Sequence, residues 1–425
     1  MDKDRGKESL SRREFLKTGS TVMAGAAAGL AAFGAPAILS GQNVNSRIRM
    51  AMIGTGSRGC SILRAIAGQP EALVTDLCDI YPPHLEEGVK QVGNPKVRTW
   101  DKWEKVLELK DVDAVIVSPP LFLHVPISVA SLDAGKHVFS EKSMGMNMKE
   151  LNDMLSATRR HPDKVYMVGY QSRLNESLAT VKDLVSNGSF GEITQFYVHF
   201  DRNQTWRRYD LTPEWDRVLN WRLYKEYCGG LLTEVVTHEI DQVLDVLGTM
   251  PTDATFHGSV EVYRDGRENH DNVMGTWMME DGVIGVGTGH LANSSQGMCW
   301  SLLGTHGTIE SAGGQLKLYW ETDVRHLDSF GIKHKFTQVK LGQSLDTTGA
   351  GKMTPGKVIE YKADGDYDLA TAREFKHFYD CILNGTRPVM DAASCRRTSI
   401  AALMAYTSSM EEGRRVTRAE LEAQG

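Results

Sequence analysis

The chain has 425 residues, enough for two or three domains at roughly 150 residues each. Hydrophobic residues make up 41% and charged residues 24%, a globular composition that excludes a disordered or fibrous chain. Lys and Arg total 48 against 54 Asp and Glu, and the resulting net charge of −6 is a poor match for a nucleic-acid backbone, so no nucleic-acid partner is expected.

In chain order, the first signal is at the N-terminus. Ser11-Arg12-Arg13-Glu14-Phe15-Leu16-Lys17 resembles the twin-arginine export motif. An Ala/Gly-rich, moderately apolar stretch follows from Thr18 to about Ser40, and Ala35-Pro36-Ala37 offers a small-residue cleavage site. Residues 1–41 are therefore read as a signal peptide, which makes the twin-arginine machinery a partner and the periplasm the destination. That route carries folded proteins, often with a cofactor already inside.

From Arg47 short apolar runs alternate with helical patterns. Strands are predicted at Ile48–Ile53, Leu73–Cys78, Val112–Val117, His137–Phe139 and Val165–Val168, with helices at Cys60–Ala67, Pro83–Val92 and His124–Ala134. This alternation predicts right-handed βαβ units and a doubly wound parallel sheet over residues 46–168. After Gly169 the pattern changes. A helix over Ser177–Ser186 leads to longer alternating strands at Glu192–Phe200, Val273–Met279, Val283–Thr288 and Thr308–Ser311. Residues 169–420 are thus expected to form an α+β domain on a large, mostly antiparallel open sheet. A Gly/Thr-rich exposed loop is predicted around Leu341–Gly356, and terminal helices over Ala370–Ile382 and Ala392–Glu411.

The strongest chemical signal is Gly54-Thr55-Gly56-Ser57-Arg58-Gly59, which follows the first strand and opens the first helix, with Asp79 20 residues past Gly59. Gly54 permits the tight turn, Gly56 lets the backbone approach a pyrophosphate, and Gly59 lets helix and strand pack closely. The helix N-terminus, including Ser57 and Arg58, offers N–H donors and a positive dipole end to phosphates. Asp79 would accept hydrogen bonds from ribose hydroxyls and repel a 2′-phosphate, favouring NAD, while Arg58 leaves NADP open. Six cysteines at positions 60, 78, 228, 299, 381 and 395 form no CxxC pair, which argues against a structural zinc or a disulfide scaffold.

Two further places carry candidate chemistry. Glu141-Lys142 stands at the carboxyl end of a parallel strand, where open α/β sheets bind ligands. On the segment Gly229 to Asp245, at 100° per residue, Glu234, His238, Asp241 and Asp245 fall within about 60° of one another on one helix face. That face reads as a site or, equally simply, as the wet stripe of an amphipathic helix. Zinc ligation is a third reading, but no further cluster completes it and no metal is assigned. Between these places, Trp206, Arg207, Arg208, Tyr209, Trp215, Trp221, Arg222, Tyr224 and Tyr227 form an aromatic and arginine-rich segment. Such residues stack on sugar rings and bond hydroxyls, or else pack between domains or subunits.

Taken in order, these motifs resemble the Gfo/Idh/MocA oxidoreductases: the Gly54–Gly59 fingerprint, Asp79, Glu141-Lys142, Gly169-Tyr170-Gln171 with Arg173, and the Gly229-Gly230 segment leading to His238 and Asp241. The resemblance runs from about Arg47 to the C-terminus. It implies a Rossmann domain followed by an α/β domain whose open sheet forms a homo-oligomer contact. It also implies an NAD(P)-dependent oxidoreductase acting on a sugar, polyol or glycoside. Carried over by residue, Lys142, His238 and Glu234 are the catalytic set. Gly54, Gly56, Ser57, Arg58, Gly59, Asp79, Glu141, Lys142 and Gln171 would bind cofactor. Lys142, Arg222, Asp241 and His238 would bind substrate. Three positions depart from the family pattern: Ser143 replaces a proline, Leu121 an asparagine, and Glu234 an aspartate. Some exported relatives catalyse redox-neutral glycoside hydrolysis through transient oxidation, which stands as the alternative activity.

Overall fold

Six short strands, β1 (Ile48–Ile53), β2 (Ala72–Cys78), β3 (Arg98–Trp100), β4 (Ala114–Val117), β5 (His137–Ser140) and β6 (Tyr166–Val168), pair in the order β3-β2-β1-β4-β5-β6, all parallel. The computed structural model describes residues 47–294, 297–312, 315–320, 358–362 and 367–425. The expected signal peptide and the expected loop Leu341–Gly356 lie outside the described residues. The central strands are apolar throughout because helices cover both faces: all four residues of β4 are buried. Helices α1 (Ser57–Ile66), α2 (Pro82–Val92), α3 (His124–Asp133) and α4 (Met148–Arg160) supply that cover. Strand order reverses between β1 and β4, so the carboxyl ends of the strands open a crevice there. The predicted strands and helices of this half recur to within a few residues. The edge strand β3 and helix α4 were not anticipated, although α4 carries its own start signal. Asn147 accepts from the Glu150 N–H at 2.9 Å and donates back to its carboxylate at 3.1 Å, a reciprocal cap.

The second half is built on nine strands. They are β7 (Ile193–Asp201), β8 (Pro251–Ser259), β9 (Asn272–Met279), β10 (Ile284–His290), β11 (Met298–Gly304), β12 (Gly307–Ala312), β13 (Gln315–Trp320), β14 (Val358–Lys362) and β15 (Val416–Thr417). Their order is β14-β13-β12-β11-β7-β10-β9-β8-β15, antiparallel except for the parallel β10–β7 pair. One face is core: Phe196, Val198, Phe200, Phe256 and Trp277 are all buried. Glycines on β10 make room for these rings, since a Cβ on Gly285 would lie 2.1 Å from Phe196 and one on Gly287 2.6 Å from Trp277. The other face leaves Met274, Met278, Ile284 and Met298 exposed.

Three further helices are α5 (Glu176–Ser186), α6 (Thr237–Leu247) and, near the end of the chain, α7 (Tyr367–Asn384); α8 (Ala392–Met410) follows. Both terminal helices return to the first half. Helix α7 packs on α1 and sets Phe375 4.4 Å from Phe139 of β5, while α8 lies against α4, α6 and β8. The described residues between Arg47 and Gly425 consequently form one contact unit.

Candidate active site

At the crevice, the β1–α1 turn is packed too tightly for side chains at two of its glycines. Gly54 has φ +92°, and a Cβ there would sit 2.5 Å from the Ser118 carbonyl at the end of β4. A Cβ on Gly59 would meet the Gly54 carbonyl oxygen at 2.1 Å. Gly56 has more space: among the described residues a Cβ there would meet only the His84 ring, at 3.6 Å. Helix α1 starts without a side-chain cap and without an acid in its first turn, so its positive end is uncompensated by the protein. Ser57 is exposed on that turn. These features fit the phosphates of a dinucleotide.

Asp79, just past β2, accepts from the Thr55 N–H at 2.8 Å and the Tyr81 N–H at 2.9 Å. Burial pushes its carboxyl up, but these bonds and His84 outweigh it and hold it below the usual carboxylate range. An ionised carboxylate with spare lone pairs thus faces the crevice, as a ribose diol requires. Arg58 is turned toward β5, its Nε 2.6 Å from Glu141 Oε1 and its Nη1 3.1 Å from the Thr371 hydroxyl on α7. Glu141 also accepts from the Lys142 N–H at 3.2 Å. Gln171, beyond β6, is buried with an Oε1 that has no partner among the described residues.

Lys142 leaves the end of β5 and donates from Nζ to the Glu234 carbonyl at 2.8 Å. Ser143, in place of the family proline, follows a cis peptide bond, and its hydroxyl donates to the Thr233 carbonyl at 2.8 Å. Leu121 is fully buried. The backbone that Lys142 and Ser143 grip is a π-helical turn, Leu232–Val236, running directly into α6. Turns of this kind widen the helix and recur at functional sites. They also disrupt a uniform 100° projection. The residues expected on a single polar face, Glu234, His238, Asp241 and Asp245, fall into two groups by the partners they find.

The first group stays open. Glu234 Oε2 accepts from Arg222 Nε at 3.0 Å, while Oε1 is buried and has no partner among the described residues. The Arg222 guanidinium rests 4.0 Å from the Trp221 ring. His238 is half-buried, edge-on to Tyr170 at 6.4 Å, and neither ring nitrogen has a protein partner among the described residues. Burial, then the charges of Lys142, Arg58 and Arg202, hold its pKa well below the ordinary imidazole value. His238 is accordingly neutral at physiological pH.

The second group is closed. Asp241, expected at the substrate, is 1% exposed, and both its oxygens are taken: Arg173 Nε donates at 2.9 Å and the Thr398 hydroxyl at 2.7 Å. Arg173 also bonds the Ser394 hydroxyl at 3.0 Å, and Asp245 pairs with Lys182 at 2.9 Å. Asp241 thus ties α6 to α8 inside the protein, because the Arg173 charge inside the fold needs a partner more than the crevice needs another acid. Nothing in the sequence spacing of Arg173 and Thr398, on either side of Asp241, announced that closure. The aromatic segment also divides: Trp215 and Tyr227 pack on Tyr81 and Phe122 of the first half, each at 5.0 Å, while Trp221 and Arg222 stay with Glu234.

The crevice, the fingerprint and the Lys142–Glu234–His238 cluster define an NAD-binding oxidoreductase. Residues 48–170 match the oxidoreductase family with an NAD-binding Rossmann fold, and residues 178–310 match the GFO/IDH/MocA C-terminal domain, together more than half of the chain. The chain belongs to the Gfo/Idh/MocA family. Among curated relatives, a glycosyl hydrolase family 109 protein of Stenotrophomonas maltophilia is 28% identical over 204 residues, 46% of this chain and 43% of that protein. A levoglucosan dehydrogenase of Pseudarthrobacter phenanthrenivorans is 30% identical, over 34% of this chain and 36% of its own. The chain thus spans about half the length, or less, of the curated relatives it matches. Of solved structures, scyllo-inositol dehydrogenase from Lactobacillus casei, with bound NAD(H) and scyllo-inositol, has a TM-score of 0.66 at 20% identity, covering 88% of this chain and 99% of that one. The WlbA dehydrogenase of Bordetella pertussis, with NADH and UDP-GlcNAcA, gives 0.68 at 18%, with the same coverage.

Proposed function

We propose that this chain transfers a hydride between a tightly held nicotinamide dinucleotide and a hydroxyl or keto group of a sugar, polyol or glycoside. The observation that carries the reading is the meeting of Lys142, Glu234 and a neutral, unengaged His238 beyond the carboxyl end of β5. The nicotinamide, when bound, accepts or returns the hydride. His238 takes the hydroxyl proton as the carbon is oxidised and gives it back on reduction. Lys142 keeps one N–H on the Glu234 carbonyl, which aims the remaining donors at the oxygen where negative charge develops. Glu234, oriented by Arg222, offers Oε1 to a neighbouring substrate hydroxyl. Asp79 and the α1 amino end would hold the dinucleotide, with NAD preferred over NADP.

The twin-arginine-like motif at Ser11–Lys17 supports the reading that the chain is exported, and an exported enzyme would need a retained cofactor, because a soluble nucleotide is not replenished outside the cytoplasm. The exposed Met274, Met278, Ile284 and Met298 on the open sheet support a homo-oligomer through that face. The glycosyl hydrolase family 109 relatives favour a second reading, a redox-neutral cycle. Oxidation of a ring hydroxyl acidifies the adjacent C–H, a base removes that proton, the aglycone leaves, water adds, and the same hydride returns.

The test is mass spectrometry of the nucleotide freed by denaturing extensively dialysed mature protein. About one NAD(H) per chain is expected, and an empty site that binds NAD weakly contradicts retention. Glycosides then separate the two readings: aglycone without net nicotinamide reduction marks the redox-neutral cycle, and net reduction marks the dehydrogenase.

A further inference from the structure

Arg208 is held in an unusual way for an exposed arginine. Its backbone is pinned on both sides by the buried Asn220, whose Oδ1 accepts from the Arg208 N–H at 2.7 Å and whose Nδ2 donates to the Arg208 carbonyl at 3.2 Å. Its side chain crosses from the second half of the chain to the first, where Nη1 donates to His84 Nε2 at 2.9 Å. A guanidinium only donates, so His84 accepts there and carries its proton on Nδ1, which faces Asp79 Oδ2 at 3.6 Å. No carboxylate pairs with Arg208 among the described residues, whereas Arg207 and Arg217 in the same segment both have acidic partners. The contact is reinforced by Trp215, whose ring lies 5.0 Å from Tyr81.

The position matters because of what lies beside it. Among the described residues, the His84 ring is the one group within 4 Å of the open side of Gly56, the glycine over which a pyrophosphate would pass. Arg208 therefore reaches, through His84, the side of Gly56, with the charges of Asp79 and Arg222 acting on it. An unpaired cation fixed by a buried anchor beside an anion cradle has an anion as its natural occupant.

We propose that Arg208 closes on the pyrophosphate of the dinucleotide from the second half of the chain, so that both halves grip the cofactor and slow its release. The proposal rests on the NAD-binding reading of the crevice. A cofactor gripped from one half only leaves by local opening of that half. One gripped from both leaves only when the 206–227 segment lifts from Tyr81 and His84.

The experiment measures NADH affinity and release by nicotinamide fluorescence on the mature chain. Wild type is compared with Arg208→Ala, Arg208→Gln and, as a control in the same segment, Arg217→Ala. Loss of a charge-assisted phosphate contact is expected to weaken binding roughly tenfold to a hundredfold and to speed release, with a shallower salt dependence. Arg208→Gln can still donate to His84 but has lost the charge, so it is expected to weaken binding as well. Arg217→Ala is expected to bind as wild type does. Wild-type affinity in both Arg208 variants overturns the proposal while leaving the NAD site intact. Weakened NADPH binding with unchanged NADH binding also overturns it, assigning Arg208 to a 2′-phosphate instead. Failure of wild type itself to bind NADH overturns the cofactor reading on which the proposal rests.

Discussion

Two groups on one helical segment make the instructive comparison. Glu234 and His238 sit at its start, Asp241 and Asp245 one to two turns on, and all four are acids or imidazole with similar spacing. Asp241 has every acceptor filled by Arg173 and Thr398. Glu234 keeps one buried oxygen unspent and His238 keeps both ring nitrogens free of protein partners among the described residues. Burial does not separate the groups, since Glu234 and Asp241 are both buried. Saturation does. A buried polar atom left open is expensive, and Glu234 Oε1, on the residue whose carbonyl Lys142 holds, is one that a bound substrate would complete.

Mutations should split along the same line. His238→Ala or Lys142→Met is expected to lower kcat/KM by roughly 10²–10⁴-fold, the usual worth of a positioned acid–base group, with thermal stability near wild type and, for His238→Ala, nucleotide content near wild type as well. Asp241→Asn is expected to do the reverse, costing about 3 kcal/mol of unfolding free energy by removing the main counter-charge of Arg173 and leaving it only the 3.5 Å Asp245 contact, as measured by urea unfolding. Glu234→Gln keeps an acceptor for Arg222 but removes the charge that substrate hydroxyls would meet. About a tenfold rise in KM is expected, with little change in unfolding midpoint.

The smallest effect is a titration. His238 has its folded pKa below the ordinary value, so the unfolded chain takes up a proton first. Its contribution to stability is complete above about pH 6.5 and is lost as pH falls toward the folded pKa. By NMR, His238 is expected to stay neutral well below pH 6.5 in wild type. In Lys142→Met, which removes the nearest cation while leaving burial in place, the titration is expected to move upward. An unshifted His238 pKa in that variant would show that burial, with Arg58 and Arg202, sets it without Lys142.

The first half of the fold was largely legible because its signals are local. A run such as Ala114–Val117 is apolar end to end because both faces are covered, and the glycine turn announces itself between strand and helix. Helix α4 was missed although Asn147 and Glu150 form a cap, because its apolar positions are diluted by charge. In the site, Lys142 and His238 were legible through motif order. Their coupling through the Glu234 carbonyl was not, since it joins residues 92 apart. The division of the polar face was equally hidden, because it falls within the regular helix α6 and is set by Arg173 and Thr398, which lie far from Asp241 in sequence. Arg208 stood in a segment picked out for its composition, but its pairing with His84 spans 124 residues and leaves no spacing to read.

The most direct test is a single-turnover measurement: reduction of the bound nicotinamide by a carbohydrate that reduces it in wild type, repeated with His238→Ala. Slowing by at least about a hundredfold is predicted, with nucleotide content unchanged. An equal rate in the variant would contradict the assignment of His238 and return its helix face to an ordinary polar stripe.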